Sequence, residues 1–260
     1  MHEFRLVLDD QHPGRHLSSW RRTVILAPCP RAGHHVLTRW SGASGRRTVM
    51  RLVAPGVAMI TVEEVLSRAL SMPGHGTLYW AGSGGLDPHA ASPAEPLAIG
   101  REWPGLPADR QAELRPLAEA AGLDLADPGL VVPACDCSGF VCWAMGISRR
   151  IRGGGMGGHD QWINTDTLWA DATGSGAQFR RLDAPVRGCL VVYPQRDSGE
   201  RYGHVGLVTE VGADGRAAKV VHCAAAHFTA APFDAIQVDA GEAFNRQPKS
   251  IHAWFRGVSP

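Results

Sequence analysis

Apolar residues follow two different periodicities in two parts of the chain. Behind the capping box Thr61-Val62-Glu63-Glu64, apolar residues recur at helical spacing: Val62, Val65, Leu66, Ala69 and Leu70. This pattern predicts a helix that ends by Met72-Pro73. A second helix is expected over residues 108–121, where Pro116 interrupts it.

The C-terminal third has the pattern of strands instead. Four β-rich runs are separated by turn residues, at positions 189–193, 205–211, 218–222 and 250–255. Asp214-Gly215 stands between the second and third runs and predicts a hairpin. Because helices come first and an antiparallel meander follows, we expect an α+β domain with N-terminal helices packed on an antiparallel β-sheet.

Residues 1–58 follow neither the helical nor the strand periodicity. Arginine is far more frequent there than acidic residues, and no periodicity persists over a useful length. We expect a poorly ordered basic extension, followed by one domain over residues 59–260. A nucleic-acid-binding arm is a weaker alternative, and a further hypothesis is that Met59 is the natural start of the protein.

Composition narrows the function classes. The chain is 44% hydrophobic and 20% charged, with a net charge of +1, as in an ordinary soluble globular protein. This balance does not point to nucleic acid or to a membrane surface as a partner. The six cysteines lack the paired spacing of a zinc site, and we expect reduced thiols, no metal and no cofactor.

The N-terminal region contains a weak signal-like pattern. Ser19-Trp20-Arg21-Arg22 precedes a short apolar run that ends at Pro28-Cys29. The run is far shorter than the apolar region of a signal peptide, and nothing in the chain approaches the roughly 20 apolar residues of a membrane span. We therefore expect no signal peptide and no membrane span, and synthesis in the cytoplasm.

The first candidate for chemistry is Cys137. Asp136 stands at the N-cap position of a predicted helix, which places Cys137 in the first turn. Free backbone N–H groups and the helix dipole favour a thiolate at this position and could also bind an oxyanion. The alternative is a structural cysteine in a core helix, since cysteine is often buried.

Two histidines are the candidate partners of this thiol. His204 begins a predicted strand between two glycines, and His222 ends the next strand of the hairpin. Cross-strand neighbours in a sheet lie about 5 Å apart, so the two rings can meet if the register allows it. A nucleophilic cysteine needs such a base, and the base needs a third group to orient it.

Three motifs in series resemble the NlpC-type cell-wall cysteine peptidases, a papain-like family. They are Asp136-Cys137-Ser138-Gly139-Phe140-Val141, Gly203-His204-Val205-Gly206 and Val221-His222-Cys223-Ala224. The resemblance covers residues 61–257 and implies that Cys137 is the nucleophile, His204 the general base and acid, and His222 the orienting residue. His227 is a second choice for the third role.

The resemblance also suggests a substrate site. Tyr79, Asp136 and Ser138 match positions that line it in the family. Cys189 stands where the family usually has Asp, the hairpin after His204 is longer than usual, and the segment from Trp162 to Asp166 is an insertion. These departures leave the identity of the substrate open.

The sequence therefore predicts a cysteine hydrolase that cleaves an amide bond, by resemblance in peptidoglycan stem peptides, as an endopeptidase or an amidase. A phage-type lytic protein, an effector exported by a secretion machine and a cytoplasmic recycling enzyme each fit. One alternative is an acyltransferase with the same triad. Another is a non-catalytic metal-binding or interaction domain that uses Cys135, Cys137, Cys142 and nearby histidines. The sequence leaves the oligomeric state open.

Overall fold

The computed structural model describes residues 60–151, 161–229 and 231–260, and the backbone of three strands nearer the N-terminus. The chain divides into two compact units, Met1–Ala58 and Met59–Pro260. None of the helices in the described ranges is long and apolar enough to cross a membrane.

In the first unit the described strands form an antiparallel three-stranded sheet in the order β1-β2-β3. Their bounds are β1 Arg22–Leu26, β2 Val36–Ser41 and β3 Arg47–Arg51. These strands lie in the region for which the sequence shows no persistent pattern. The rest of residues 1–58 lies outside the described residues, so the expectation of a poorly ordered extension stays a prediction.

The second unit is an α+β domain, which confirms the predicted class. Its helices are α1 Val62–Leu70, α2 Ile99–Glu102, α3 Ala108–Ala120, α4 Cys137–Ala144, α5 Thr165–Thr173 and α6 Glu242–Arg246. Two 3₁₀ segments, Trp103–Gly105 and Ala225–Thr229, complete the helical part of the described chain.

Six strands of this unit form one antiparallel sheet, ordered β10-β15-β11-β12-β13-β14. Its members are β10 Phe179–Leu182, β11 Leu190–Tyr193, β12 His204–Val211, β13 Ala217–Cys223, β14 Ile236–Ala240 and β15 Ile251–Phe255. The small sheets contain β4 Ile60–Thr61 with β16 Val258–Ser259, β5 Leu78–Tyr79 with β6 Glu95–Leu97 and β7 Val132–Cys135, and β8 Arg150–Ile151 with β9 Gln161–Trp162.

Helix α1 forms as the sequence predicts. The Thr61 hydroxyl accepts a hydrogen bond from the Glu64 backbone at 3.2 Å, and the Glu64 carboxylate accepts one from the Thr61 backbone at 2.7 Å. The apolar stripe is buried except for Leu70, which is 44% exposed. Helix α3 differs from the prediction, because it continues through Pro116 as one helix.

Helix α4 lies at the centre of the domain. All of its residues are buried, and it packs against β12, β13 and α1. A helix that is apolar on every side belongs in a core, where it has no solvent-facing side. The first residues of α4 are thereby held against the start of β12.

The predicted hairpin is formed by β12 and β13. Leu207 pairs with Val221 across it, and Asp214-Gly215 lies in the connecting turn with Gly215 at a φ of 76°. The same register places Gly206 opposite His222, and a Cβ at residue 206 would lie 2.9 Å from the Cβ of His222. Glycine at this position therefore leaves room for the histidine.

We predict that a chain starting at Met59 folds and keeps its activity. The boundary between the two compact units at Ala58 and the capped start of α1 at Thr61 both favour an independent unit. Thermal unfolding of the shortened and full chains, with a turnover assay of each, checks this. A large fall in melting temperature after the truncation would show that the N-terminal unit stabilises the domain.

Candidate active site

Asp136 organises the N-terminus of α4. One of its carboxylate oxygens accepts hydrogen bonds from the Gly139 backbone at 2.8 Å and the Ser138 hydroxyl at 3.0 Å. The other accepts from the Gly82 backbone at 2.7 Å and from Arg149 at 2.6 Å. Asp136 is the N-cap that the sequence predicts, but both of its oxygens are used within the chain.

Arg149 is the group that sequence reasoning missed. Its side chain is only 2% exposed, and it donates to Asp136, to the Ser138 hydroxyl at 2.8 Å and to the backbone oxygens of Ser83 and Ile163. Burial alone would lower the pKa of Arg149, but the Asp136 carboxylate raises it above its usual value. A buried ion pair of this kind persists only when its remaining hydrogen-bonding groups are satisfied, as they are here.

Asp136 and Ser138 were predicted to line the substrate site. Both are buried, and their polar side-chain atoms bond to each other and to Arg149. In this geometry they hold α4 in place. The sequence gives little sign of this network, because Arg149 meets Asp136 only after the chain has turned back past α4.

The glycine-rich loop before β6 packs on the same helix. Gly82, Gly84 and Gly85 adopt positive φ angles, and a Cβ on Gly139 would lie 2.6 Å from the backbone oxygens of Ser83 and Gly84. Gly139 thus makes room for this loop rather than for a substrate. The loop amides of Ser83 and Gly85 donate to backbone oxygens, and that of Gly82 donates to Asp136, so these three donors are satisfied within the chain.

Cys137 is the first residue of α4 and is 5% exposed. Burial raises its pKa to about 12, as does the nearby Asp136 carboxylate. Arg149 and the N–H groups of Val205 and Ser138 act in the opposite direction without reversing the shift. The expectation of a thiolate is therefore wrong for this geometry, because loss of solvent outweighs the helix terminus.

His204 lies at the first position of β12, next to Val205, whose N–H group faces the Cys137 thiol. Its ring stacks on Phe244, with centroids 5.2 Å apart and planes 12° apart. Burial, followed by the charge of His227, lowers the pKa of His204 to about 4. Both members of the Cys137–His204 pair are therefore neutral near pH 7.

His204 and His222 meet as the hairpin register predicts. Nε2 of His204 and Nδ1 of His222 share a hydrogen bond of 2.7 Å, and the ring centroids are 4.9 Å apart. This contact uses Nε2 of His204, so Nδ1 is the ring nitrogen left to take a proton from a thiol. His222 is 7% exposed, and burial lowers its pKa.

Tyr79 lies near Cys137. It pairs with Cys135 in the small sheet, two residues before the start of α4. Burial raises its pKa well above the ordinary value, and a charge on Cys137 is the next cause. The phenol therefore stays protonated and can donate a hydrogen bond near the sulfur.

The inserted segment packs close to His204. Asn164 caps α5, and Asp166 accepts a hydrogen bond from the Gln195 backbone at 2.7 Å. A Cβ on Gly203 would collide with the Thr165 hydroxyl. The insertion is thus a fixed neighbour of the strand that carries His204.

His227 does not occupy the orienting position next to His204, which His222 occupies. Nδ1 of His227 faces the backbone oxygen of Ala235 at 2.9 Å, and its Nε2 faces Oδ2 of Asp239 at 2.6 Å. It lies against the ring of His222, with centroids 4.6 Å apart. Asp239 was not singled out from the sequence, which shows no motif around it.

One set of side chains in the described ranges has ligand atoms close enough to hold a metal ion. It consists of His222, His227 and Asp239, whose ligand atoms all lie within 4.8 Å of one another. Cys135, Cys137 and Cys142 do not form such a group there, since Cys142 lies further along α4 in the core. The alternative of a cysteine-ligated metal site therefore has no geometric support in the described part of the chain.

Comparison with known families agrees with this geometry. Residues 129–224 match the family model of the CHAP domain. A CHAP domain is thus found at residues 129–224, which are just over a third of the chain. The matched segment includes Cys137, His204 and His222, whereas Tyr79 and Asp239 lie outside it. No curated protein and no solved structure gave a significant match.

CHAP domains are papain-like cysteine peptidase or amidase domains of cell-wall hydrolases. The predicted resemblance to papain-like cell-wall peptidases is thus confirmed through the CHAP match, and the NlpC type itself stays a prediction. The domain supports peptidase or amidase action on peptidoglycan in general.

The pKa shifts give a testable prediction for Cys137. Iodoacetamide reacts with the thiolate, so labelling of a thiol with a raised pKa should be slow at pH 7 and rise about tenfold per pH unit up to pH 10. The difference in labelling between the wild type and Cys137→Ala isolates this thiol from the others. A rate that has already reached its plateau at pH 7 would instead indicate a preformed thiolate–imidazolium pair.

Proposed function

We propose that the CHAP domain cleaves an amide bond in peptidoglycan stem peptides through Cys137, His204 and His222. The observation that carries this proposal is the 2.7 Å hydrogen bond between the two imidazoles, next to a cysteine at the N-terminus of a buried helix. A cysteine nucleophile, a base and an orienting group in this order form the arrangement that acyl transfer requires.

The proton path follows from the hydrogen bond. With Nε2–H of His204 donating to His222, Nδ1 of His204 is free to accept the Cys137 proton as the sulfur attacks the carbonyl carbon. Because the resting pair is neutral, proton transfer accompanies attack. His204 then returns the proton to the leaving amine, and water, deprotonated by His204, hydrolyses the acyl-enzyme.

The start of α4 also supplies a donor for the oxyanion. Gly139 donates its backbone N–H to the Asp136 side chain, and Phe140 donates to the Asp136 backbone oxygen. The N–H group of Cys137 is the remaining donor of the first turn, since that of Ser138 faces the Cys137 thiol. Tyr79, neutral and near Cys137, is the candidate side-chain contact for the substrate.

Substitutions of His222 test its orienting role. His222→Asn should retain partial turnover, because an amide oxygen can accept the His204 N–H and hold the ring. His222→Ala should lose more, since no acceptor remains at that position. Turnover measured with peptidoglycan fragments, after matching of melting temperatures, distinguishes the two. Equal activity in the wild type and His222→Ala would exclude His222 from the mechanism.

An acyltransferase with the same residues is the second candidate. An acyl-enzyme on Cys137 can be resolved by an amine instead of water, and the residues of the site serve both reactions. Product analysis with and without an added amine separates the two outcomes, because only acyl transfer forms a new amide.

A further inference from the structure

A cluster of three ligand-type side chains lies directly behind His222. Three neighbouring elements contribute to it: β13 carries His222, the 3₁₀ segment Ala225–Thr229 carries His227, and β14 carries Asp239. In the β13–β14 register His222 pairs with Gln237 and Val220 with Asp239. His222 and Asp239 are therefore diagonal neighbours on one face of the sheet.

The bonding of His227 shows that this cluster needs a cation. Its Nδ1 faces the Ala235 backbone oxygen, which can only accept, so Nδ1 carries a hydrogen. Nε2 then faces a carboxylate oxygen of Asp239 at 2.6 Å. A neutral ring would direct a lone pair at that oxygen. Either a proton on Nε2 or a metal ion between the two atoms removes this repulsion.

Several features favour a metal ion. A histidine whose second nitrogen is held by a backbone oxygen is oriented as metal ligands usually are. His222 offers Nε2 at 3.6 Å from the same Asp239 oxygen, while its Nδ1 is held by His204. Ligand atoms of one tetrahedral zinc ion lie roughly 3.3 Å apart, so a small movement of Asp239 away from His227 makes room.

We propose that His222, His227 and Asp239 bind a divalent transition metal of the zinc class, and that the bound metal inhibits the active site. Two imidazoles and one carboxylate are a ligand set that zinc uses, with water as the fourth ligand. The Asp239 side chain is 48% exposed, which gives the ion and its water access from solvent.

The inhibition follows from the tautomers of the two histidines, and this part rests on the proposed function. A metal on Nε2 of His222 leaves the hydrogen of that ring on Nδ1, where it must be donated to Nε2 of His204. His204 then carries its own hydrogen on Nδ1. That nitrogen can no longer accept the proton of Cys137, so turnover stops while the metal is bound.

Isothermal titration calorimetry with zinc chloride tests the site, with Cys137→Ala as the background so that the active-site thiol takes no part. We expect the Cys137→Ala protein to bind one equivalent of zinc. Adding His227→Ala or Asp239→Asn should abolish this binding. Glu210→Gln is the matched control, an acidic residue of the same sheet that pairs with Lys219 instead. Circular dichroism and thermal unfolding confirm that each variant is folded.

Two outcomes would overturn the proposed site. If the Cys137→Ala protein binds no zinc, a proton and not a metal ion joins His227 to Asp239. Undiminished binding in both His227→Ala and Asp239→Asn would place the zinc elsewhere. Because the titration needs no turnover, it holds or fails independently of the proposed hydrolysis.

The inhibitory effect is tested with the wild-type thiol in place. Zinc should inhibit the wild type at the concentration at which the calorimetric site fills, and His227→Ala should resist at that concentration. Equal inhibition of both proteins would mean that zinc acts on Cys137 directly. This result would overturn the proposed inhibition through His222.

Discussion

Replacement of Cys137 with alanine is expected to lower turnover by on the order of 10⁴-fold or more. In the proposed mechanism the sulfur forms the covalent bond to the acyl group, and the N–H group of Val205, next to His204, faces the Cys137 thiol. His204→Ala should have an effect of similar size, because the proton of Cys137 then has no acceptor. Initial rates on purified peptidoglycan, with each variant at the same concentration, give the comparison.

Cys142→Ala is the matched control for this experiment. Cys142 belongs to the same helix, five residues after Cys137, and is fully buried in the hydrophobic core. We expect Cys142→Ala to keep turnover and to lose some stability. Loss of turnover in Cys142→Ala without unfolding would contradict the assignment of Cys137 as the only reacting thiol.

The second large effect concerns stability. Arg149→Met should lower the free energy of unfolding by about 3–5 kcal/mol, because it leaves the Asp136 carboxylate buried without its partner. For a domain of this size the melting temperature would fall by roughly 10 °C. Adding Asp136→Asn should recover part of the loss, since asparagine also caps helices and carries no charge.

Arg246→Met is the control for Arg149→Met, because it also replaces an arginine with methionine but leaves the Asp136 network intact. Arg246 forms an exposed ion pair with Glu242 one turn away, and exposed pairs of this kind contribute little. Calorimetric or chemical unfolding of the four proteins checks the prediction. An Arg149→Met protein as stable as Arg246→Met would show that the Asp136 network does not hold α4.

The local parts of the fold could be predicted from the sequence. Thr61 and Glu64 mark the start of α1, Asp136 marks the start of α4, and Asp214-Gly215 marks the hairpin, because each of these signals acts within a few residues. The hairpin register then brings His204 and His222 together. The resemblance to papain-like cell-wall peptidases also rests on short motifs, those around Cys137, His204 and His222.

What could not be predicted depends on residues far apart in sequence. Arg149 meets Asp136 and Ser83 only in the folded domain, and Asp239 reaches His227 from another strand. The protonation of Cys137 also depends on the whole fold, since burial opposes the helix terminus and outweighs it. A local motif indicates the nucleophile, but it carries no measure of solvent access.

Mass spectrometry of peptidoglycan fragments after digestion tests the central claim most directly. The wild-type domain should release fragments in which one amide of the stem peptide has gained one water molecule, and Cys137→Ala should release none above background. Tandem spectra of the products assign the bond and so separate endopeptidase from amidase cleavage. Fragments cut only between sugars, or identical products from the wild type and Cys137→Ala, would contradict a cysteine-dependent cleavage of stem-peptide amides.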